Sequence, residues 1–300
     1  MKISILLPLK ENFSPIYAGA VSLFINDTLK ISDYKKYTTV FGNTKFKEKF
    51  KLKYQNIPID KRFYQSQNKK YVEEFIKLER KRNSDLIELH NRPIYLSFLL
   101  SRLYNKTYIL YFHNDPLTMN GSITVAERIF LMKACFKIIF NSNWSKRRFL
   151  EGMHGDYVNS EKLVVINQSA KKQRININKK QKIITFVGKL NRSKGYDLFG
   201  KAIIKILNKY KDWSSIVVGD EPRDKLEFNH KNLKKLGFMK HKDVLNIYKK
   251  TSIAVVCSRW EEPFGRTSLE AASSGCAVII SNKGGLPETI TNGVILKNLS

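Results

Sequence analysis

Acidic side chains are in short supply: 26 Asp and Glu stand against 54 Lys and Arg, a net charge of +28. That deficit draws the chain towards a polyanion, whether an anionic lipid surface, a phosphorylated glycolipid or a nucleic acid. Compositional bias is the competing reading, because 41 of the basic residues are Lys and 13 are Arg, and Asn and Ile are abundant, as AT-rich coding gives. Arg is the residue preferred for specific phosphate forks, so nucleic acid is the least expected partner. Cysteine is scarce and odd in number. Cys135, Cys257 and Cys276 stand far apart in apolar surroundings, which excludes a disulfide framework and reads as buried reduced thiols. No Cys-x-x-Cys, His-Glu-x-x-His or Asp-x-Asp occurs, so neither a metal nor any other cofactor is expected. Long apolar runs are missing too. The opening Ile3 to Leu7 is of strand length and is followed by Pro8, with no small-residue cleavage site, so a cytoplasmic protein is expected.

A hydrophobic content of 42% in 300 residues suits two domains of ordinary size. The chain is organised around Ser258 to Ala272. The apolar run Ile253 to Cys257 before it and Ala277 to Ile280 after it have strand composition. Between them, Arg266 to Ser274 has helical content, with Leu269 and Ala272 spaced to face a sheet and Gly275 placed to end the helix. Glu262 therefore falls in a strand-to-helix loop and Glu270 one turn inside the helix. Such loops, at the carboxyl ends of parallel strands, form the ligand crevice of open sheets. Pro263 and Gly265 bend the backbone so that amides at the helix start can face a phosphate. Two carboxylates beside a phosphate make sense when they address something uncharged, such as sugar or ribose hydroxyls.

Glu262 and Glu270, with Pro263, Phe264 and Gly265 between them and Gly275, Gly284, Gly285, Pro287 and Glu288 after them, resemble the donor-binding signature of glycosyltransferase family 4. The family's enzymes are retaining and have GT-B architecture. The resemblance implies an α/β chain of two doubly wound Rossmann-like parallel-sheet domains facing a cleft. Residues 1–170 would be the acceptor-side domain, 171–181 the linker, and 182–300 the nucleotide-sugar-binding domain. Family members normally continue into a closing helix that crosses back onto the first domain, so the resemblance implies a fragment or an unusually short enzyme.

In chain order, Lys2 to Leu9 reads as a buried strand, Glu11 to Gly19 as a loop and Ala20 to Ile31 as a helix. The unit resembles the family's first one, whose glycine-rich loop approaches the donor phosphates. Here the pair is Gly19-Ala20, and a plain turn is the alternative. Lys45 to Arg82 is dense in Lys, with Tyr71, Phe75 and Leu78 at helical spacing: an ordinary core stripe with a solvated basic face, or a peripheral membrane or acceptor-binding face. Asp85 to Leu89 and Thr107 to Phe112 read as strands that end at His90 and His113. The resemblance puts His113 beside the donor sugar, and a histidine capping a loop is the alternative. Ile123 to Ala134 reads as a helix and Lys137 to Phe140 as a strand, followed by a helix capped by Ser145 or Asn143, and Val164 to Ile166 as a last strand. The second domain opens at Ile183, where a strand feeds Gly188, Lys189, Lys194 and Gly195. This is not a P-loop, since Lys194-Gly195 is not followed by Ser or Thr. It resembles the family's diphosphate-holding elements, with Lys189 in place of the usual Arg. Backbone groups from Gly237 to Lys240 would line the nucleobase.

The expected reaction is transfer of a sugar from a nucleotide-diphosphate sugar to a hydroxyl of a glycan or glycolipid, with retention. Lys189 and Lys194, with Gly188 and the amides near Phe264, Gly265 and Arg266, would stabilise the departing diphosphate. Glu262 would hold the sugar's hydroxyls, Glu270 the ribose, and His113 would orient the donor. Gly19 and Gly237 complete the expected donor contacts. The alternatives are a nucleotide-sugar-binding module without transfer, a sugar-nucleotide epimerase of the same architecture, and a basic protein of polyanions or of the inner membrane face.

Overall fold

Apolar runs alternate with amphipathic stretches along the chain. The computed structural model, which describes residues 1–59 and 66–299, turns them into alternating strands and helices. They divide into two units, Met1–Asn167 and Gln168–Ser300.

In the first unit the described strands are β1 (Ile3–Leu6), β2 (Thr38–Gly42), β3 (Tyr54–Asn56), β4 (Leu86–His90), β5 (Thr107–Phe112), β6 (Lys137–Phe140) and β7 (Leu163–Val165). They pair in parallel in the order β3-β2-β1-β4-β5-β6-β7. Parallel neighbours need crossover connections, supplied mainly by α1 (Ala20–Ile31), α2 (Gln67–Arg82), α3 (Ile94–Leu100), α4 (Val125–Ala134) and α5 (Asn143–Leu150). Val21, Phe24, Ile25 and Leu29 of α1 recur at the helical period and pack on Ile5, Leu7 and Val40. Tyr71, Val72, Phe75 and Ile76 of α2 enter the larger core with Phe41, Leu89 and Phe112. The ordinary reading of this helix therefore holds for its buried stripe. Its last basic residue is tied down as well: the Arg82 guanidinium donates to Ser4 Oγ (3.1 Å), Ile3 O (3.1 Å) and Tyr37 O (2.8 Å).

The second unit repeats the plan. Strands β8 (Gln181–Val187), β9 (Ser214–Val218), β10 (Leu233–Lys235), β11 (Thr251–Val256), β12 (Ala277–Ser281) and β13 (Val294–Leu296) run in the order β10-β9-β8-β11-β12-β13. Helices α6 (Tyr196–Lys209), α7 (His241–Lys250) and α8 (Arg266–Ser273) make crossovers. Each sheet thus has the doubly wound arrangement, and its order reverses once, between β1 and β4 and between β8 and β11.

Three local features differ from the sequence reading. Helix α5 is capped by Ser142, whose Oγ accepts from Ser145 N at 3.0 Å, rather than by Ser145 or Asn143. The stretch read as a linker packs on the second unit. Lys180 Nζ donates to Tyr248 O (2.8 Å) and Ser274 O (2.7 Å), and Gln173 N donates to Ser273 O at 3.4 Å. The division between units falls at Asn167, three residues before the expected end of the first domain at residue 170. Within the basic stretch Lys45 to Arg82, residues 60–65 lie outside the described ones.

Candidate functional site

In the second unit, the loops that leave β8, β11 and β12 meet at the carboxyl end of the sheet, beside the reversal of strand order. They are hooked together through backbone. Ser193 O accepts from Arg259 N (2.9 Å), Trp260 N (3.0 Å) and Ser258 Oγ (3.1 Å). The Arg259 guanidinium forks onto Asp197 at 2.6 and 2.9 Å and reaches Arg192 O at 2.9 Å. That bidentate bond holds the Asp197 carboxyl below its usual range. Gly195 makes the close approach feasible: its φ is +74°, and a Cβ there would stand 1.9 Å from Cys257 O. Gly284 serves the same end on the other side. With φ at +60°, it leaves no room for a Cβ, which would lie 2.1 Å from Glu262 O. Gly285 N donates to that same oxygen at 2.6 Å, and Gly284 N donates to Glu261 Oε2 at 2.6 Å. The backbone of Glu262 is consequently fixed from β12 as well as from its own strand.

Two charge clusters sit in this frame. Lys194 Nζ pairs with Glu262 Oε1, with side chains about a third and a sixth exposed. Glu270 is buried on α8, and one of its oxygens accepts from Arg266 Nε at 2.6 Å and lies 2.9 Å from His241 Nε2. An ammonium has three protons to give, so its bond to Glu262 aims Lys194 without exhausting it. Lys189 is exposed. Its charge adds to the effect of Arg223, which holds the Glu221 carboxyl down to about 2.

The expected site residues are thus partly assembled. Lys194 meets Glu262, and Arg266 meets Glu270. Gly265 caps α8 at φ +120°, with Leu286 packed where a Cβ would go. Phe264 is buried, so its side chain serves the core. Gly188 N bonds Val218 O at 3.0 Å, and Gly237 O accepts from Gly219 N at 2.8 Å, so both belong to the joints between β8, β9 and the loop after β10.

Gly19 and His113 lie in the first unit. Gly19 caps α1 at an ordinary φ of −80°, and a Cβ there would meet the end of the Glu11 side chain, with a carboxylate oxygen 2.4 Å away. Glu11 Oε1 accepts from Ser22 N at 2.9 Å, so the amino end of this helix holds a carboxylate of its own chain. His113 is buried, and its Nε2 is 2.8 Å from His90 Nδ1, while His90 Nε2 is 2.7 Å from Glu88 Oε1. Phe24 packs edge-on against His113, with ring centroids 5.0 Å apart.

Sequence reasoning missed His241, Asp197, Arg259 and Glu261. Nothing in the chain announces that α7 would bring His241 to α8.

Comparison with known proteins converges on the same unit. Residues 167–298 match the family described as Glycosyl transferases group 1. The chain is 25% identical over 330 aligned positions to spore coat protein SA of Bacillus subtilis, covering 98% of this chain and 84% of that protein. It is 33% identical over 130 positions to an uncharacterized glycosyltransferase of Methanocaldococcus jannaschii, a match covering 41% of this chain and 33% of the relative. Among solved structures, Anabaena HepE in complex with UDP and glucose superposes with a TM-score of 0.70 at 19% identity, over 99% of this chain and 85% of that one. Residues 167–298 are therefore a glycosyltransferase group 1 domain, carried by a chain of GT-B fold.

Proposed function

We propose that the chain transfers a sugar from a nucleotide-diphosphate sugar to a hydroxyl of a glycan or glycolipid, with retention at the anomeric carbon and without a metal. The observation that carries this reading is the pair of charge clusters held at the sheet reversal of a glycosyltransferase group 1 domain, Lys194 with Glu262 and Glu270 with Arg266 and His241. Fold likeness to a protein solved with UDP and glucose supports a uridine nucleotide as the first donor to try.

In this reading Lys194 and exposed Lys189 neutralise the diphosphate as it departs, a preorganised electrostatic contribution. Glu262 accepts hydrogen bonds from the sugar's hydroxyls. Glu270, held by Arg266 and His241, accepts from the ribose. The acceptor hydroxyl attacks the face that the diphosphate leaves, and the departing phosphate oxygen takes its proton, so no enzyme nucleophile is needed. A glycolipid acceptor and a peripheral position on an anionic membrane belong to the same proposal. Exposed Ile31, Tyr34 and Tyr37 beside Lys30, Lys35 and Lys36 support it, since apolar and basic side chains together suit a headgroup surface. Flotation with phosphatidylglycerol vesicles is expected to carry the chain at low salt, and equal flotation with neutral vesicles would remove the membrane part.

Slow hydrolysis of UDP-glucose followed by proton NMR tests the stereochemistry. The first sugar released should keep the donor's α configuration before mutarotation, and a β product would overturn retention.

A further inference from the structure

The first unit has its own cavity at the reversal of its sheet, about 440 Å³ in volume, above the carboxyl ends of β1, β4 and β5. Open α/β sheets take their ligands at this position. Its polar wall comprises Lys10 after β1, Gln67 and Asn68 at the start of α2, Arg92 after β4, and Thr118 and Asn120 after β5. Several of these groups are already aimed. Arg92 Nη1 is anchored on Asn91 O at 2.7 Å, and the amide oxygen of Asn68 accepts from Tyr95 Oη at 3.2 Å, which turns its NH₂ group away from the tyrosine. Tyr95 is itself buried and accepts from Leu9 N at 3.2 Å.

This wall carries two cations, Lys10 and Arg92. Elsewhere Arg148, Arg259, Arg266 and Lys194 each face a carboxylate of their own chain. Among the described residues, neither Arg92 nor Lys10 has a carboxylate partner, and no acidic side chain lines the cavity. Side-chain amides both donate and accept, the pattern that sugar hydroxyls need. Two cations without a counter-charge in the same wall call for an anion.

We propose that this cavity holds a negatively charged sugar of the acceptor, with Arg92 and Lys10 on its carboxylate or phosphate and the amides of Gln67, Asn68 and Asn120 on its hydroxyls. This rests on the transferase reading and narrows it to an acidic glycan.

The test is calorimetric titration of the whole chain with glucuronate, glucose 6-phosphate, inorganic phosphate and glucose. An ionic strength of about 0.15 M screens contacts beyond about 8 Å. At least one acidic sugar should bind about tenfold more tightly than glucose, a difference worth one charge-assisted contact. Lys10→Gln and Arg92→Gln together should erase that preference. Lys10→Gln alone, at an exposed residue, should reduce it and keeps the test usable if the double variant folds poorly. Equal binding of glucose, a preference that survives both substitutions, or inorganic phosphate binding as tightly as the sugar phosphate would overturn the proposal. UDP binding is measured on the same sample. Acidic-sugar binding without UDP binding would strike the transferase reading, and with it the acceptor role but not the anion site, whereas UDP binding without the acidic preference would strike this inference alone.

Discussion

Lys194 and Glu262 stand 68 positions apart in the chain and share one ion pair. The sequence pattern marked each of them singly, Glu262 through its loop and Lys194 through its glycine turn. Their pairing was not legible, because contacts between loops depend on strand order. The same holds for Glu270, whose helix position could be read but whose partner His241 could not. These pairings divide the labour in a measurable way. In the proposed reaction Lys194→Ala removes charge stabilisation that grows as the diphosphate leaves, so turnover should fall about a hundredfold or more with a smaller change in donor affinity. In the same proposal Glu270→Ala removes a ground-state contact with the donor and leaves Arg266 and His241 without their carboxylate partner, so donor affinity should fall more than turnover. Steady-state kinetics on both variants separates the two, and equal small effects would contradict the assignments.

At the scale of elements, periodicity located α1 and most strands within a residue or two, and the buried stripe of α2 without its start, because these stripes are regular. It missed α3, whose residues Ile94–Leu100 are almost uniformly apolar, and the three-residue strands β3 and β13, which are too short to show a period. The glycines carried better information than the helices. Gly195 and Gly284 mark where one loop's backbone touches another's, a constraint on geometry that no other residue type satisfies. Gly195→Ala would force a Cβ into Cys257 O and a left-handed φ that costs about 1 kcal/mol or more. The expected outcome is a lowered melting temperature and a larger loss of nucleotide binding, since the loops of Lys194 and Glu262 separate. Unchanged nucleotide affinity in that variant would show that the joint does not shape the site.

At the scale of the whole chain, two sheets of the same winding carry different chemistry at equivalent places. In the second unit Lys194 and Arg266 at the reversal face carboxylates, whereas, among the described residues, Arg92 and Lys10 in the first do not. The net charge of +28 was legible from composition, but its distribution was not, because strand order alone decides which loops share a rim. Among the described residues no helix is long and apolar enough to cross a membrane. The central claim is that the second unit binds a nucleoside diphosphate through Glu270 and Lys194. The most direct measurement is the thermal shift of the folded chain with UDP, GDP, ADP, TDP and CDP, repeated with Glu270→Ala. Selective stabilisation by one of them, growing with concentration as linkage requires and lost in the variant, is the predicted result. A folded sample that none of the five stabilises, or a shift that Glu270→Ala leaves intact, would contradict it.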